Sequence, residues 1–293
     1  MIYENIEPKF SSLIALANSN QRSRKLKLVN CFLRLSGAKE TKLITPNTPL
    51  VKGATWNAHP NLDYKKDAIY FMFGHFGVCP IINKLIQQQI NFIYVDNGYL
   101  YSRHKRGINK QSAKYSFTIN NTRLSCITKQ IVGDTGVEYV HRKPGGDYIL
   151  VVVPSEYIAV SHGFKISDWL EKVKRNLEPL GKPFVVRTYQ DRAKKSIPFE
   201  SMLDNACLTV TSQSLTGLDS LKHGVPVISD SFSLSNPVSG CIDKVYESLD
   251  DIYYPDDDRF NRWVGSLASN EFSMNEFKNL LPKIMKLQHM SLH

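Results

Sequence analysis

A chain of 293 residues with 42% hydrophobic and 22% charged residues has ordinary globular usage, enough for one large or two modest domains and too apolar for a disordered tail. Its apolar runs, such as Tyr148–Val153, stop far short of the ~20 residues that a membrane-spanning helix needs, so no membrane span is expected. The formal charge of +10 is unevenly spread, with 21 Lys and Arg against 9 Asp and Glu in residues 1–150 and 16 against 18 in residues 151–293. That asymmetry points to a polyanionic partner for the first half, such as nucleic acid or an anionic glycan, or else to a solvated basic surface.

The opening Met1-Ile2-Tyr3-Glu4 has neither the basic nor the apolar region of a secretory signal, which gives a cytoplasmic protein as the expectation. From Asp67 onward short apolar runs alternate with helix-like segments, the pattern of βαβ units in a parallel sheet. Ala68–Phe73 reads as a strand, Val78 to Gln89 as a helix and Phe92–Val95 as the next strand. Gly74-His75-Phe76-Gly77 and Asp96-Asn97-Gly98-Tyr99 then stand at carboxyl ends of strands, where open α/β sheets hold ligands. Residues 101–125 are polar and basic, with short strands and no dominant period.

Pro144-Gly145-Gly146-Asp147 is the strongest break and falls where the charge changes sign, dividing the chain into lobes 1–147 and 148–293. The second lobe restarts with a strand at Tyr148–Val153, then Pro154-Ser155, a helix opening at Ser167-Asp168 and a strand at Phe184–Val186. A helix over Ile197–Asn205 leads to a strand at Leu208–Val210, a loop and helix from Thr211 to a capping Gly224, and a strand at Val225–Ile228. Tyr253–Arg259 reads as a polar turn, with terminal helices at Arg262–Ala268 and Asn275–Leu287. The fold class expected is α/β, with two Rossmann-like lobes of parallel sheet and flanking helices.

Five cysteines, Cys31, Cys79, Cys126, Cys207 and Cys241, are odd in number and form no C-x-x-C pair, so neither a disulfide framework nor a zinc site is expected. No Asp-x-Asp pair follows a strand, and Asp256-Asp257-Asp258 reads as a solvated turn, so no metal is called for. The informative stretch is 208–230. Its strand ends in Thr211-Ser212-Gln213-Ser214 and a helix follows with Gly217 near its start, offering hydroxyls and free N–H groups to a phosphate. The same Ser and Thr residues would also serve as ordinary helix caps.

The run T-S-Q-S-L-T-G-L-D-S-L-K-H-G-V-P-V resembles the donor side of two-lobed, GT-B-type glycosyltransferases, in particular the capsule Kdo-transferase-like group. Across about residues 67–285, D-N-G-Y-L, D-W-L, V-V-R and P-D-D-D-R-F-N-R-W-V-G-S-L-A-S-N-E-F-S are similar to bacteriophage-encoded glycosyltransferase-like proteins. The resemblance implies a nucleotide-sugar donor, no further cofactor, and as acceptor a hydroxylated or hydroxymethylated pyrimidine in double-stranded phage DNA, with the host cytoplasm as location. The Arg-x-His-Pro element of the capsule enzymes appears only as Val186-Arg187-Thr188-Tyr189, which leaves a UDP-sugar as the more generic donor than a CMP-sugar.

By the same resemblance, Ser155, Arg187, Thr211, Ser212, Ser214 and Gly217 would surround the donor. Arg187 suits a bidentate contact to a diphosphate, or a surface ion pair with Asp191 or Glu200. Inverting transfer needs a general base; Asp96 is the first candidate and His75 the second, while an Asp-Asn-Gly turn or a strand-end histidine are their plain structural readings. Arg103, Lys105, Arg106, Lys110, Lys114 and Arg123, interleaved with Tyr99 and other aromatics, suit phosphates and an extruded base, or an ordinary basic surface. Two alternatives stand beside DNA glycosylation: transfer to a capsule or lipopolysaccharide glycan, and non-catalytic DNA binding on this fold.

Overall fold

The computed structural model describes residues 12–16, 66, 68–73, 84–85, 87–100, 114–119, 122–123, 135–188, 191, 197–273 and 276. The chain forms two compact units, residues 1–132 with 266–293 and residues 133–265. The division falls before the Pro144–Asp147 cluster, and residues 266–293 return to the first unit. Among the described residues no helix is long and apolar enough to cross a membrane.

In the first unit, β2 (Ala68–Phe73) and β3 (Phe92–Asn97) run parallel, as the βαβ pattern from Asp67 predicts, and β1 (Ser12–Leu16), which the sequence reading did not assign, pairs parallel with β2. Strand β4 (Tyr115–Ile119) then runs antiparallel to β3, with Asp96 opposite Ser116, and β5 (Thr122–Arg123) folds back on β4. The two-residue strand Glu271–Phe272 completes this sheet on the far side of β4, again antiparallel. This sheet is therefore mixed, which corrects the expectation of parallel sheets throughout. The reason lies in the sequence of β4: Tyr115-Ser116-Phe117-Thr118-Ile119 alternates apolar and polar residues, the signature of an antiparallel strand rather than of a doubly covered parallel one.

The second unit is a doubly wound parallel sheet. Its elements are β6 (Tyr148–Val152), α1 (Glu156–Ser161), α2 (Ile166–Leu177), β7 (Phe184–Arg187), α3 (Phe199–Leu203), β8 (Ala206–Thr211), α4 (Thr216–Leu221), β9 (Val227–Ser229), β10 (Gly240–Cys241) and α5 (Asp257–Ser269). The five strands lie in the order β10-β9-β8-β6-β7, every pair parallel. Strands β6 and β8 are nearly continuous apolar runs because both their faces are covered.

On one face Ile149, Val151, Leu208 and Val210 pack against Trp169, Val173 and Leu177. Those three recur at i, i+4 and i+8 on α2 and so share one helical face. On the other face Leu150 and Val152 pack against Leu203 of α3 and Val225. Each such aliphatic side chain contributes about 1.5–3 kcal/mol on burial.

Gly224 caps α4 at φ 74°, as the sequence predicts. The expected turn at Tyr253–Arg259 is shorter, because the Asp256 side chain accepts the Arg259 N–H at 2.7 Å and starts α5 at Asp257. Burial pushes the Tyr254 phenol well above its ordinary range, and its hydroxyl donates to the Val140 carbonyl.

Candidate functional site

In the second unit the chain leaves β6 through α1 and then α2, which covers one face and leads outward to β7. It leaves β8 through α4, which tethers to the opposite face and leads the other way to β9: Ser220 Oγ on α4 donates to Thr209 Oγ1 at 3.0 Å, and Thr209 stands beside Leu150 in the sheet. The carboxyl ends of β6 and β8, adjacent in the sheet, are thus the point where the winding reverses, and such a point opens a crevice because its two loops part. A cavity of about 130 Å³ lies there, lined by Val152, Val153, Pro154, Ser155, Ile158, Thr211, Gln213 and Ser214.

Three of the residues singled out from sequence, Ser155, Thr211 and Ser214, meet at this cavity. Their hydroxyls also do structural work. Ser214 Oγ accepts the Thr216 N–H at the start of α4 at 3.2 Å, and Thr216 Oγ1 donates to Thr211 Oγ1 at 3.2 Å. Ser155 Oγ lies 3.4 Å from the Ile158 N–H at the start of α1. Gly217 serves packing: it is buried in α4, and a Cβ there would collide with Ser235 Oγ and come within 2.9 Å of Ser235 Cβ. Ser212 is buried, and its Oγ has no hydrogen-bond partner among the described residues.

Arg187 departs most from an ordinary surface residue. It is 8% exposed, its guanidinium lies 5.2 Å from the Phe199 ring centroid and contacts Met202 Sδ at 3.2 Å, and its Nε has no partner among the described residues. The surface ion pair is not formed: Asp191 accepts from the Thr188 N–H and hydroxyl, Glu200 is exposed, and no carboxylate pairs with Arg187 among the described residues. Register places Arg187 beside Val152 and Val152 beside Thr211, so all three share one face at the carboxyl edge of the sheet. A buried cation without a counter-charge costs several kcal/mol, and an anionic ligand removes that cost.

No protein-family model matches the sequence, and no curated protein matches it. Among solved structures the chain is similar to Thermosulfurimonas dismutans KpsC, beta Kdo 2,7 transferase, at 11% identity over 93% of this chain and 99% of that one, with a TM-score of 0.46. It is also similar to Thermosulfurimonas dismutans KpsC, beta Kdo 2,4 transferase, at 9% identity over 94% and 98%, with a TM-score of 0.39. At these values the likeness assigns no activity.

A larger hollow, about 240 Å³, opens among Arg142, Lys143, Pro144, Gly145, Cys207, Leu249 and Asp250. It lies at the amino ends of β6 and β8, away from the strand ends that hold ligands in such folds, and Arg142 is committed to the carbonyls of Leu249 and Ile252. The thiol of Cys207 is pushed up by burial, which makes it a poor nucleophile.

In the first unit Asp96 stands near the carboxyl end of β3, half-buried, and accepts from Tyr94 Oη at 3.0 Å and from the Asn97 N–H at 2.7 Å. The turn after it is built around Glu271. That buried carboxylate accepts the Tyr99 N–H at 2.7 Å and the Leu100 N–H. Gly98 is needed for this close approach rather than for a left-handed backbone, since a Cβ would collide with Glu271 Oε2 and lie 2.9 Å from the Lys114 carbonyl. Tyr99 and Lys114 are half-buried beside this turn, and Arg123 is on β5. His75, Arg103, Lys105, Arg106 and Lys110 lie outside the described residues.

Sequence reading did not single out Gln213, His162, Phe232, Trp169 or Asp230. Gln213 lines it and hydrogen-bonds His162 at 3.1 Å, and the His162 ring stacks on Phe232 at 3.7 Å and 7°. Trp169 Nε1 donates to Asp230 Oδ2 at 3.0 Å, with both residues buried. Asp230 was within reach of the strand-end rule, because it directly follows the apolar run ending at Ile228 and Ser229. The pairing of His162 with residues 51 and 70 positions later carries no local signal.

Proposed function

We propose that the protein is a nucleotide-sugar-dependent glycosyltransferase whose second unit holds the donor at the carboxyl edge of its parallel sheet. One observation carries the reading: the buried Arg187, with no carboxylate partner among the described residues, stands in the same row as the cavity residues Val152 and Thr211 at a reversal of winding, a placement suited to an anionic nucleotide. The acceptor in this proposal is a hydroxylated or hydroxymethylated pyrimidine in DNA, supported by the excess of 21 basic over 9 acidic side chains in residues 1–150. A UDP-sugar is the donor assumed, with no metal or other cofactor required.

In the transfer, the acceptor hydroxyl oxygen forms a bond to the anomeric carbon as the bond from that carbon to the phosphate oxygen breaks. The nucleoside diphosphate leaves with the electron pair and is stabilised by the Arg187 charge. The hydroxyl proton passes to the Asp96 carboxylate. The test is incubation of labelled UDP-sugars with DNA carrying hydroxymethylcytosine, hydroxymethyluracil or unmodified bases. Label is expected only in modified DNA, and Asp96→Asn is expected to lower the rate by about 10²–10⁴-fold. DNA binding with no label from any donor would favour a non-catalytic binding protein. Label reaching only a glycan acceptor would replace the DNA reading.

A further inference from the structure

Ser155 and Ile158 line the cavity from the β6 side. His162 follows Ile158 at i+4, with its N–H still bonded to the Ile158 carbonyl at 3.1 Å, so it continues the stripe of α1 that faces the cavity. Gln213 lines the cavity from the β8 side, and its Oε1 accepts from His162 Nε2 at 3.1 Å. The bond therefore joins the two loops whose parting opens the crevice. The loop after β9 adds a third hold: the Phe232 ring stacks on His162 at 3.7 Å and 7°, with Phe164 6.3 Å from Phe232 at 29°. That loop is fixed in turn, because the buried Trp263 donates from Nε1 to the Leu234 carbonyl at 3.1 Å.

Pockets that enclose a small-molecule ligand run to about 300–1,000 Å³, and the cavity beside this clasp holds about 130 Å³. Seating a nucleotide there requires the β6 and β8 loops to move apart, and the His162–Gln213 bond opposes that movement. We propose that His162 is a latch on the β6–β8 crevice: seated on Phe232 and bonded to Gln213, it holds the free protein in a narrowed state, and a nucleoside diphosphate is admitted when the bond opens. The inference rests on the nucleotide-sugar reading and concerns the regulation of that same site. A closed form lowers the apparent affinity by the fraction of molecules that are open, so loosening the latch raises affinity although it removes a polar contact. A side chain that bound the ligand directly would give the opposite sign.

Two variants of the whole protein test the latch. His162→Phe keeps a ring on Phe232 and removes the bond to Gln213, whereas His162→Ala removes both holds. Each replaces an exposed side chain and is expected to fold as the unaltered protein does. Without ligand, hydrogen exchange of peptides covering 152–158 and 211–216 is expected to quicken about two- to tenfold in His162→Phe and at least as much in His162→Ala. In titration calorimetry UDP is expected to bind both variants about two- to tenfold more tightly than it binds the unaltered protein. Unchanged exchange in both variants, or UDP affinity that is unchanged or weaker, overturns the latch, while UDP binding by the unaltered protein leaves the nucleotide reading intact. Failure of all three proteins to bind UDP overturns the gate and the UDP reading together.

Discussion

Replacing Arg187 by methionine is expected to stabilise the protein and to weaken nucleotide binding at least about tenfold, two effects of opposite sign from one substitution. Methionine keeps an unbranched chain against Phe199 and Met202 and removes a charge that is 8% exposed with no carboxylate paired to it among the described residues. The contact to the Phe199 ring returns ~0.5–2 kcal/mol, less than the several kcal/mol of desolvation that a buried ion carries. The net gain is expected at about 1–3 kcal/mol, or ~2–10 °C in melting temperature, read by calorimetry without ligand. An arginine that merely braced α3 would behave the other way: the variant would melt lower and bind nucleotide as before.

The second large effect concerns two neighbouring glycines that sequence reading treated as one break. Gly146→Ala is expected to cost more than about 4 kcal/mol and Gly145→Ala only ~1 kcal/mol. Gly146 has φ 137°, and a Cβ there would collide with the Cys207 amide nitrogen and lie 2.6 Å from Cys207 Cα and 2.7 Å from the Ala206 carbonyl carbon. All three atoms are backbone at the start of β8, so no rotamer change relieves the clash. Gly145 has φ 72° and open space around its Cβ direction, leaving only the cost of a left-handed conformation. Chemical denaturation of the two variants side by side measures the difference. Equal losses would mean that the chain at Gly146 does not pass against β8.

The contrast shows what was legible in the sequence. The parallel sheet of the second unit could be read almost strand for strand because β6 and β8 are largely apolar runs that lead into polar residues, and that ending also marked Ser155, Thr211 and Ser214 at the cavity. The character of Pro144–Asp147 was not legible: a glycine that turns the chain and a glycine that lets two strands approach look alike until the neighbour is known. Gly217 and Gly98 repeat the lesson, since they make room for Ser235 and Glu271, residues 18 and 173 positions away. Short strands were expected in 101–125, but the antiparallel place of β4 in the sheet was not, because its five alternating residues sit in a basic segment whose charge drew the reading toward DNA.

The site divides in the same way. Arg187 was found from its place after a strand, but its burial and want of a counter-charge depend on Phe199 and Met202, which local sequence does not reveal. Asp230 follows the same strand-end rule and was passed over because Ser229-Asp230-Ser231 resembles any polar loop. Its partner Trp169 is 61 residues earlier in the chain, so their pairing exists only in the fold.

Hydrogen exchange read by mass spectrometry, with and without saturating UDP-glucose, UDP-N-acetylglucosamine or CMP, tests most directly whether the second unit holds a nucleotide at its carboxyl edge. With at least one of these ligands, peptides covering residues 152–158 and 211–216 are expected to exchange more slowly while the amino-edge segment 142–146 is unchanged. Binding that protects 142–146 instead, or no protection of 152–158 and 211–216 by any of the three, would contradict it.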